Sequence, residues 1–174
     1  MTVHAKAGGR VRIPGQYLIR PIIREDNAGI ARVIGQVMPE FGAKGPGFAL
    51  SDSEVTDMYS AYSKPRCSYF VVVAGTQVVG AGGVAPLEGG DADTCELRKM
   101  YFLPELRGLG YGQEMMERCL TAARTHGFTH CYLETLQGML QARALYEKNG
   151  FKPLAKPLGG TGHFGCDVWY AKKL

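Results

Sequence analysis

Residues 95–112, CELRKMYFLPELRGLGYG, gather the residue types that hold an anion. The segment enters as a β-rich run, is broken by Pro104, and passes through Arg107-Gly108-Leu109-Gly110-Tyr111-Gly112 into an apolar-periodic helix. Glycines there leave no Cβ between the backbone amides and a ligand. The first amides of a helix have no internal partners, and the macrodipole adds positive potential at the same end. Such a turn suits phosphate. Each charge-assisted amide–phosphate bond contributes roughly 1.5–3 kcal/mol, so about four or five anchor a nucleotide-like ligand. The pattern GxxxxGK[ST] is absent, and GxGxxG fails because Gln113 or Met115 stands at the third glycine position.

The elements that must position this turn follow from apolar periodicity. A first strand is expected over 17–23, and then a helix capped by Asp26, with Ile30, Val33, Ile34 and Val37 on one face. Pro39 and Gly42 end it. Residues 41–50 form a glycine-rich loop, and 51–63 predict a second, shorter helix. Strands follow over 67–74, 77–84 and about 95–103, the first two joined by the tight turn Gly75-Thr76. The amphipathic helix spans 110–126, with Gly112, Met115, Met116, Cys119, Leu120 and Ala123 on its apolar face. A strand over 130–135, a helix over 140–148 stopped by Asn149-Gly150, and β stretches near Phe151 and over 167–171 complete the order. The core reads β-β-β-α-β-α-β, an α/β (α+β) domain of mixed sheet.

Composition narrows the class. The 174 residues, 45% of them hydrophobic, fit one domain over 17–174 preceded by a flexible basic arm over 1–16. Five of the 20 basic residues precede the first acidic one, Glu25, which leaves 15 basic against 16 acidic residues from Glu25 onward. That near-neutral body argues against nucleic-acid binding. The longest apolar stretch, 69–74, is too short to cross a bilayer, and the amino-terminal residues have no apolar signal core. Cys67, Cys95, Cys119, Cys131 and Cys166 form no C-x-x-C pair and match no zinc spacing with the four histidines. The expectation is a reduced, cytoplasmic, metal-free protein with no membrane partner.

Pro104-x-x-Arg107-Gly108-x-Gly110-x-Gly112 resembles motif A of the GNAT superfamily of acetyl-CoA-dependent N-acetyltransferases. Residues 142–151, ARALYEKNGF, are similar to that family's A-x-x-L-Y-E-K-x-G-F segment, and the expected strand separates the two motifs. The resemblance implies a mostly antiparallel sheet splayed into a V-shaped cleft and flanked by about four helices. It implies that the amides of Arg107, Gly108, Leu109, Gly110, Tyr111, Gly112 and Gln113 bind the pyrophosphate of coenzyme A. Met100, Tyr101 and Phe102 would pair with the pantetheine arm, beside a bulge whose free amide polarises the thioester carbonyl.

The resemblance further places Tyr146 against the coenzyme A sulfur, where a phenol protonates the departing thiolate. It places Glu96 where some members keep a general base, with Glu134 on the adjacent strand as the rival carboxylate. A strand glutamate salt-bridged to Arg98 or Lys99 is the plainer reading of Glu96. Met139 stands where many members carry a cofactor-binding asparagine, and Gln137 or Gln141 are the available substitutes.

The implied activity is direct attack of an amine on acetyl-CoA in a ternary complex, without an acyl-enzyme. The acceptor is a small-molecule amine or a protein or peptide amine, and the resemblance allows a homodimer. Residues 41–50 and 159–169, GGTGHFGCDVW, are the elements expected beside the acceptor. The rival reading is a non-catalytic acyl-CoA-binding or partner-binding module of the same fold.

Overall fold

A computed structural model describes residues 12–174, so most of the amino-terminal arm lies outside the described residues. Seven strands form one sheet in the order β1-β2-β3-β4-β5-β7-β6. They are β1 (Leu18–Pro21), β2 (Ser68–Ala74), β3 (Gln77–Pro86), β4 (Thr94–Phe102), β5 (His130–Thr135), β6 (Lys152–Leu154) and β7 (Val168–Lys173). Every neighbouring pair is antiparallel except β4 and β5. Among the described residues four α-helices flank the sheet: α1 (Asn27–Val37), α2 (Met58–Tyr62), α3 (Tyr111–Thr125) and α4 (Leu140–Lys148). This is the mixed, mostly antiparallel architecture that the sequence implied.

β3 is the centre of the core. It is buried from residue 78 to 85, and both α1 and α3 pack against it. A strand covered on both faces reads as a continuous apolar run, and VVGAGGVA does so with glycine wherever neighbours crowd the backbone. A Cβ on Gly83 would lie 2.3 Å from the Tyr69 ring and 2.4 Å from the Ser68 carbonyl oxygen.

Two expectations are corrected. Asp26 precedes α1 but its carboxylate does not cap it. It turns back to accept from the Ile23 amide at 2.8 Å and from both Arg20 terminal nitrogens at 2.6 and 2.9 Å. The second helix, expected over 51–63, shrinks to the five residues of α2 behind two 3-10 turns, Ala49–Ser51 and Ser53–Thr56. Side chains in this stretch bond elsewhere. The Ser51 hydroxyl donates to the Gly45 carbonyl, and Asp52 and Glu54 both reach Lys99. Polar side chains that compete with the helix ladder shorten it in this way. Asp57 caps what remains, accepting from the Ser60 amide at 3.1 Å.

Where the expected arm enters the described residues, Arg12 stacks on the Tyr111 ring at 4.0 Å and pairs with Glu114 at 2.9 Å. No helix is long and apolar enough to cross a membrane among the described residues.

Candidate active site

A register shift makes the cleft. β3 and β4 pair as Gly80 with Phe102 and Ala81 with Tyr101, then as Gly83 with Arg98, so β4 carries one extra residue around Lys99 and Met100. Lys99 takes φ 48°, one of two non-glycine residues in the left-handed region among those described. A bulge of this kind bends its strand and re-aims the side chains beside it. On the other edge, β4 pairs with β5 over only three residues, Thr94 to Glu96 against His130 to Tyr132. Beyond them β5 stays with β7 and β4 stays with β3, so the sheet opens.

The opening continues into a cavity of about 700 Å³. Eight of the residues assigned to cofactor binding line it: Met100, Tyr101, Phe102, Arg107, Gly108, Gly110, Gly112 and Gln113. Leu109, Tyr111 and Tyr146 do not; of the first two, expected to act through backbone amides, Leu109 donates its amide to the Leu106 carbonyl at 3.3 Å. The Tyr111 ring is buried away from the cavity, edge-on to Tyr17 at 5.4 Å.

Gly110 precedes α3 with φ 84°. The first bond of the helix runs from the Glu114 amide to the Gly110 carbonyl at 3.1 Å, which leaves the amides of Tyr111, Gly112 and Gln113 ahead of it. Arg107 folds beside this turn. Its Nε donates to the Phe102 carbonyl at 3.1 Å and one terminal nitrogen pairs with Glu40 at 2.7 Å, while Nη2 is buried without a hydrogen-bond partner. A buried guanidinium nitrogen in that condition is costly unless an anion or carbonyl meets it. With three amides ahead of the first helical bond and Arg107 in its lining, the cavity fits a phosphate-bearing ligand.

The Gln113 side chain is engaged elsewhere, exchanging hydrogen bonds with Asn149 at 2.9 and 3.0 Å and tying α3 to the end of α4. Met139 lines the cavity and its sulfur accepts from the Thr135 hydroxyl. Of the two substitutes, Gln141 lines the cavity and the Gln137 amide donates to Asp167.

Tyr146 is buried between Phe151 and Tyr170, 6.1 and 6.0 Å away between ring centroids. Burial holds its hydroxyl above the ordinary phenol range, so it stays protonated. Tyr101 is raised likewise, by burial first and with the neighbouring acids Asp52 and Glu96 adding to it. Glu96 lies at the apex of the split, 2% exposed, with Oε2 bonded to Arg98 Nε at 2.5 Å. Burial raises its carboxyl, against the opposing pull of Arg98 and His163.

Glu134 joins Glu96 there, with Oε1 accepting from the Tyr132 hydroxyl at 2.7 Å and the Thr161 hydroxyl at 2.9 Å. Sequence reading gave His163 and Lys99 no individual role. His163, in the glycine-rich segment before β7, faces Glu134 at 3.6 Å, Glu96 at 3.9 Å and Asp52 at 3.0 Å. Lys99, its side chain 2% exposed, pairs with Asp52 and Glu54. The carboxylates of Asp52 and then Glu134 raise His163 to about 9. The atoms of Glu96, Glu134 and His163 also lie close enough to hold a metal ion, a grouping no spacing in the chain announces because three separate segments supply it.

The two loops expected beside the acceptor meet here. The Phe164 ring covers Gly47, the Phe48 ring covers Gly165, and the Gly165 amide donates to the Gly47 carbonyl at 3.1 Å.

Similarity to known proteins agrees with this geometry. The acetyltransferase (GNAT) family matches over residues 36–151. The N-acetyltransferase YjgM of Escherichia coli is 42% identical over 162 residues, which span 92% of this chain and 97% of that protein. A GNAT-family acetyltransferase of Staphylococcus aureus shares the fold with a TM-score of 0.80 at 17% identity, covering 90% of this chain and 98% of that one. The yncA acetyltransferase of Salmonella typhimurium, solved with its cofactor acetyl-CoA, gives a TM-score of 0.71 at 17% identity over 91% of this chain and 94% of that one. The chain belongs to the acetyltransferase (GNAT) family.

Proposed function

We propose that the protein moves an acetyl group from acetyl-CoA to the nitrogen of an amine, by direct attack while both substrates are bound. The observation that carries this reading is the glycine-lined start of α3, whose first three amides lie ahead of its first hydrogen bond, opening beside Arg107 onto the cavity at the β4 bulge. The amides at the start of α3 and the Arg107 side chain would hold the pyrophosphate, and Met100, Tyr101 and Phe102 the pantetheine arm. Acetyl-CoA supplies the activated acyl group, and the chain supplies position and proton handling.

Tyr146, kept protonated by burial, gives its proton to the departing thiolate. Glu96, raised by burial, takes the proton that the attacking amine must lose, with Glu134 beside it. A covalent route through cysteine is disfavoured. Cys131 is held well above the ordinary thiol range by Cys95 and by burial, and Cys166 is pushed up to about 12. Thiols so poorly ionised are weak nucleophiles. The five unpaired thiols favour a reducing compartment such as the cytoplasm. A small-molecule amine is the favoured acceptor, and a homodimer is compatible with the family.

Thiol release from acetyl-CoA, followed across a panel of amines, tests the reading. Turnover that depends on one class of amine, with no acetylated cysteine in the protein mass spectrum, is the expected result. Coenzyme A binding without turnover on any amine would favour the non-catalytic reading instead.

A further inference from the structure

One atom each of Glu96, Glu134 and His163 converges on a common point, and the three lie within 4.8 Å of one another. His163 Nδ1 stands 3.6 Å from Glu134 Oε2 and 3.9 Å from Glu96 Oε1. Ligands bound about 2.0–2.2 Å from a tetrahedral zinc ion are about 3.3–3.6 Å apart, so small side-chain movements bring these atoms onto one ion. A second observation points to a ligand. The Glu134 side chain is 4% exposed, and its Oε2 is buried at this point without a hydrogen-bond partner. A carboxylate oxygen in that condition is unfavourable until a donor or a cation meets it.

The far side of each group is already held, which is how metal ligands are oriented. Arg98 Nε donates to Glu96 Oε2, and the hydroxyls of Tyr132 and Thr161 donate to Glu134 Oε1. His163 Nε2 lies 3.0 Å from Asp52 Oδ2, and Lys99 Nζ fixes the same oxygen at 2.6 Å. The hydrogen bond to Asp52 keeps a proton on Nε2, which leaves the Nδ1 lone pair for a metal.

The donor set selects the ion. One imidazole and two carboxylates suit zinc, whereas magnesium and calcium take oxygen ligands and more of them. Charge agrees. Among the described residues Asp52, Glu54, Glu96 and Glu134 pair with two permanent cations, Arg98 and Lys99, and with His163. With His163 neutral as a ligand, two carboxylate charges are left over, and a divalent ion cancels both. We propose that Glu96, Glu134 and His163 form a zinc site, completed by water, in which β4, β5 and the segment before β7 meet on one ion. The metal-free expectation followed from the spacing of cysteines and histidines, to which a site of one histidine and two glutamates is invisible. One consequence rests on the acetyltransferase reading: the filled site engages Glu96, the base of the proposed reaction, so turnover stops until the ion is removed.

The test is metal uptake by the full chain, stripped with a chelator and kept reduced. Calorimetry should find one zinc ion per chain, which magnesium in large excess does not displace. Cobalt(II) in its place should give the visible absorption of a four-coordinate site and no thiolate-to-cobalt band, which separates this site from the five cysteines. His163→Gln should abolish uptake, and Asp52→Asn, which keeps all three ligands, should weaken it about 10–100-fold. Should His163→Gln fail to fold, Asp52→Asn carries the same decision. No uptake, a thiolate band, displacement by magnesium, or undiminished uptake in Asp52→Asn would each overturn the site. Acetylated amine, followed by mass spectrometry, should cease to form with zinc and resume with chelator, and full turnover by zinc-loaded protein would overturn the inhibition. Turnover absent without zinc as well would instead overturn the acetyltransferase reading, since uptake is measured with no substrate present.

Discussion

In the proposed reaction Tyr146 holds a proton to give, while His163 holds one against a field of carboxylates. Replacing Tyr146 by Phe removes the donor while keeping the ring between Phe151 and Tyr170. The turnover number should fall about 100-fold, within the range of general-acid catalysis, with coenzyme A affinity unchanged by calorimetry. His163 makes stability depend on pH. Its folded pKa of about 9 stands above the ordinary 6.5, so the charge interaction is complete below about pH 6.5 and is lost as pH rises through 9. The melting temperature should decline across that interval, and His163→Gln should flatten the decline. The two residues differed in legibility. Tyr146 sits inside a contiguous motif, ARALYEKNGF, whereas His163 acquires its meaning from Asp52, Glu96 and Glu134, each on another segment. Glu96 was visible as a carboxylate at the start of a strand. Its near-complete burial, and hence its raised pKa, depends on chain that packs over it from far away in sequence.

Periodicity located the strands and long helices because apolar spacing alone determines which face is buried, and α3 is the clearest case. It overran at α2, where the side chains of residues 51–54 bond to Gly45 and Lys99 rather than permitting a helix. The β4 bulge was expected from resemblance only, since a single added residue leaves no mark on an alternating pattern as short as TCELRKMYF. The tight pairing of β3 with β2 gives a direct test. At Gly83 even a methyl group meets backbone as well as a ring, so the strands must part to admit it. Gly83→Ala should destabilise the protein by about 1–3 kcal/mol, the usual cost of overpacking, read as a lower midpoint in urea. Gly82 is a milder site, because its Cβ would meet the flexible side chains of Met100 and Met115.

Across the molecule, one short parallel contact between β4 and β5 joins two parts of the sheet that otherwise diverge. A ligand bridging the mouth of α3 and the β4 edge would link them, so cofactor binding should raise global stability. At a coenzyme A concentration about 100 times Kd the gain is about 2.7 kcal/mol, seen as a rise in melting temperature. Gly110→Asp should eliminate that rise, because it sets a negative charge at the turn proposed to hold the pyrophosphate and strains a φ of 84°. The opposite end of the V is governed by the two glycine-rich loops, each of which places a phenylalanine over a glycine of the other. With the two loops beside the acceptor, as proposed, this reciprocity restricts how acceptor preference can be re-engineered. A chimera that imports residues 41–50 from a relative, and keeps its own 158–165, loses one half of an interlocking pair. The two segments must be transplanted together, as a single exchangeable cassette.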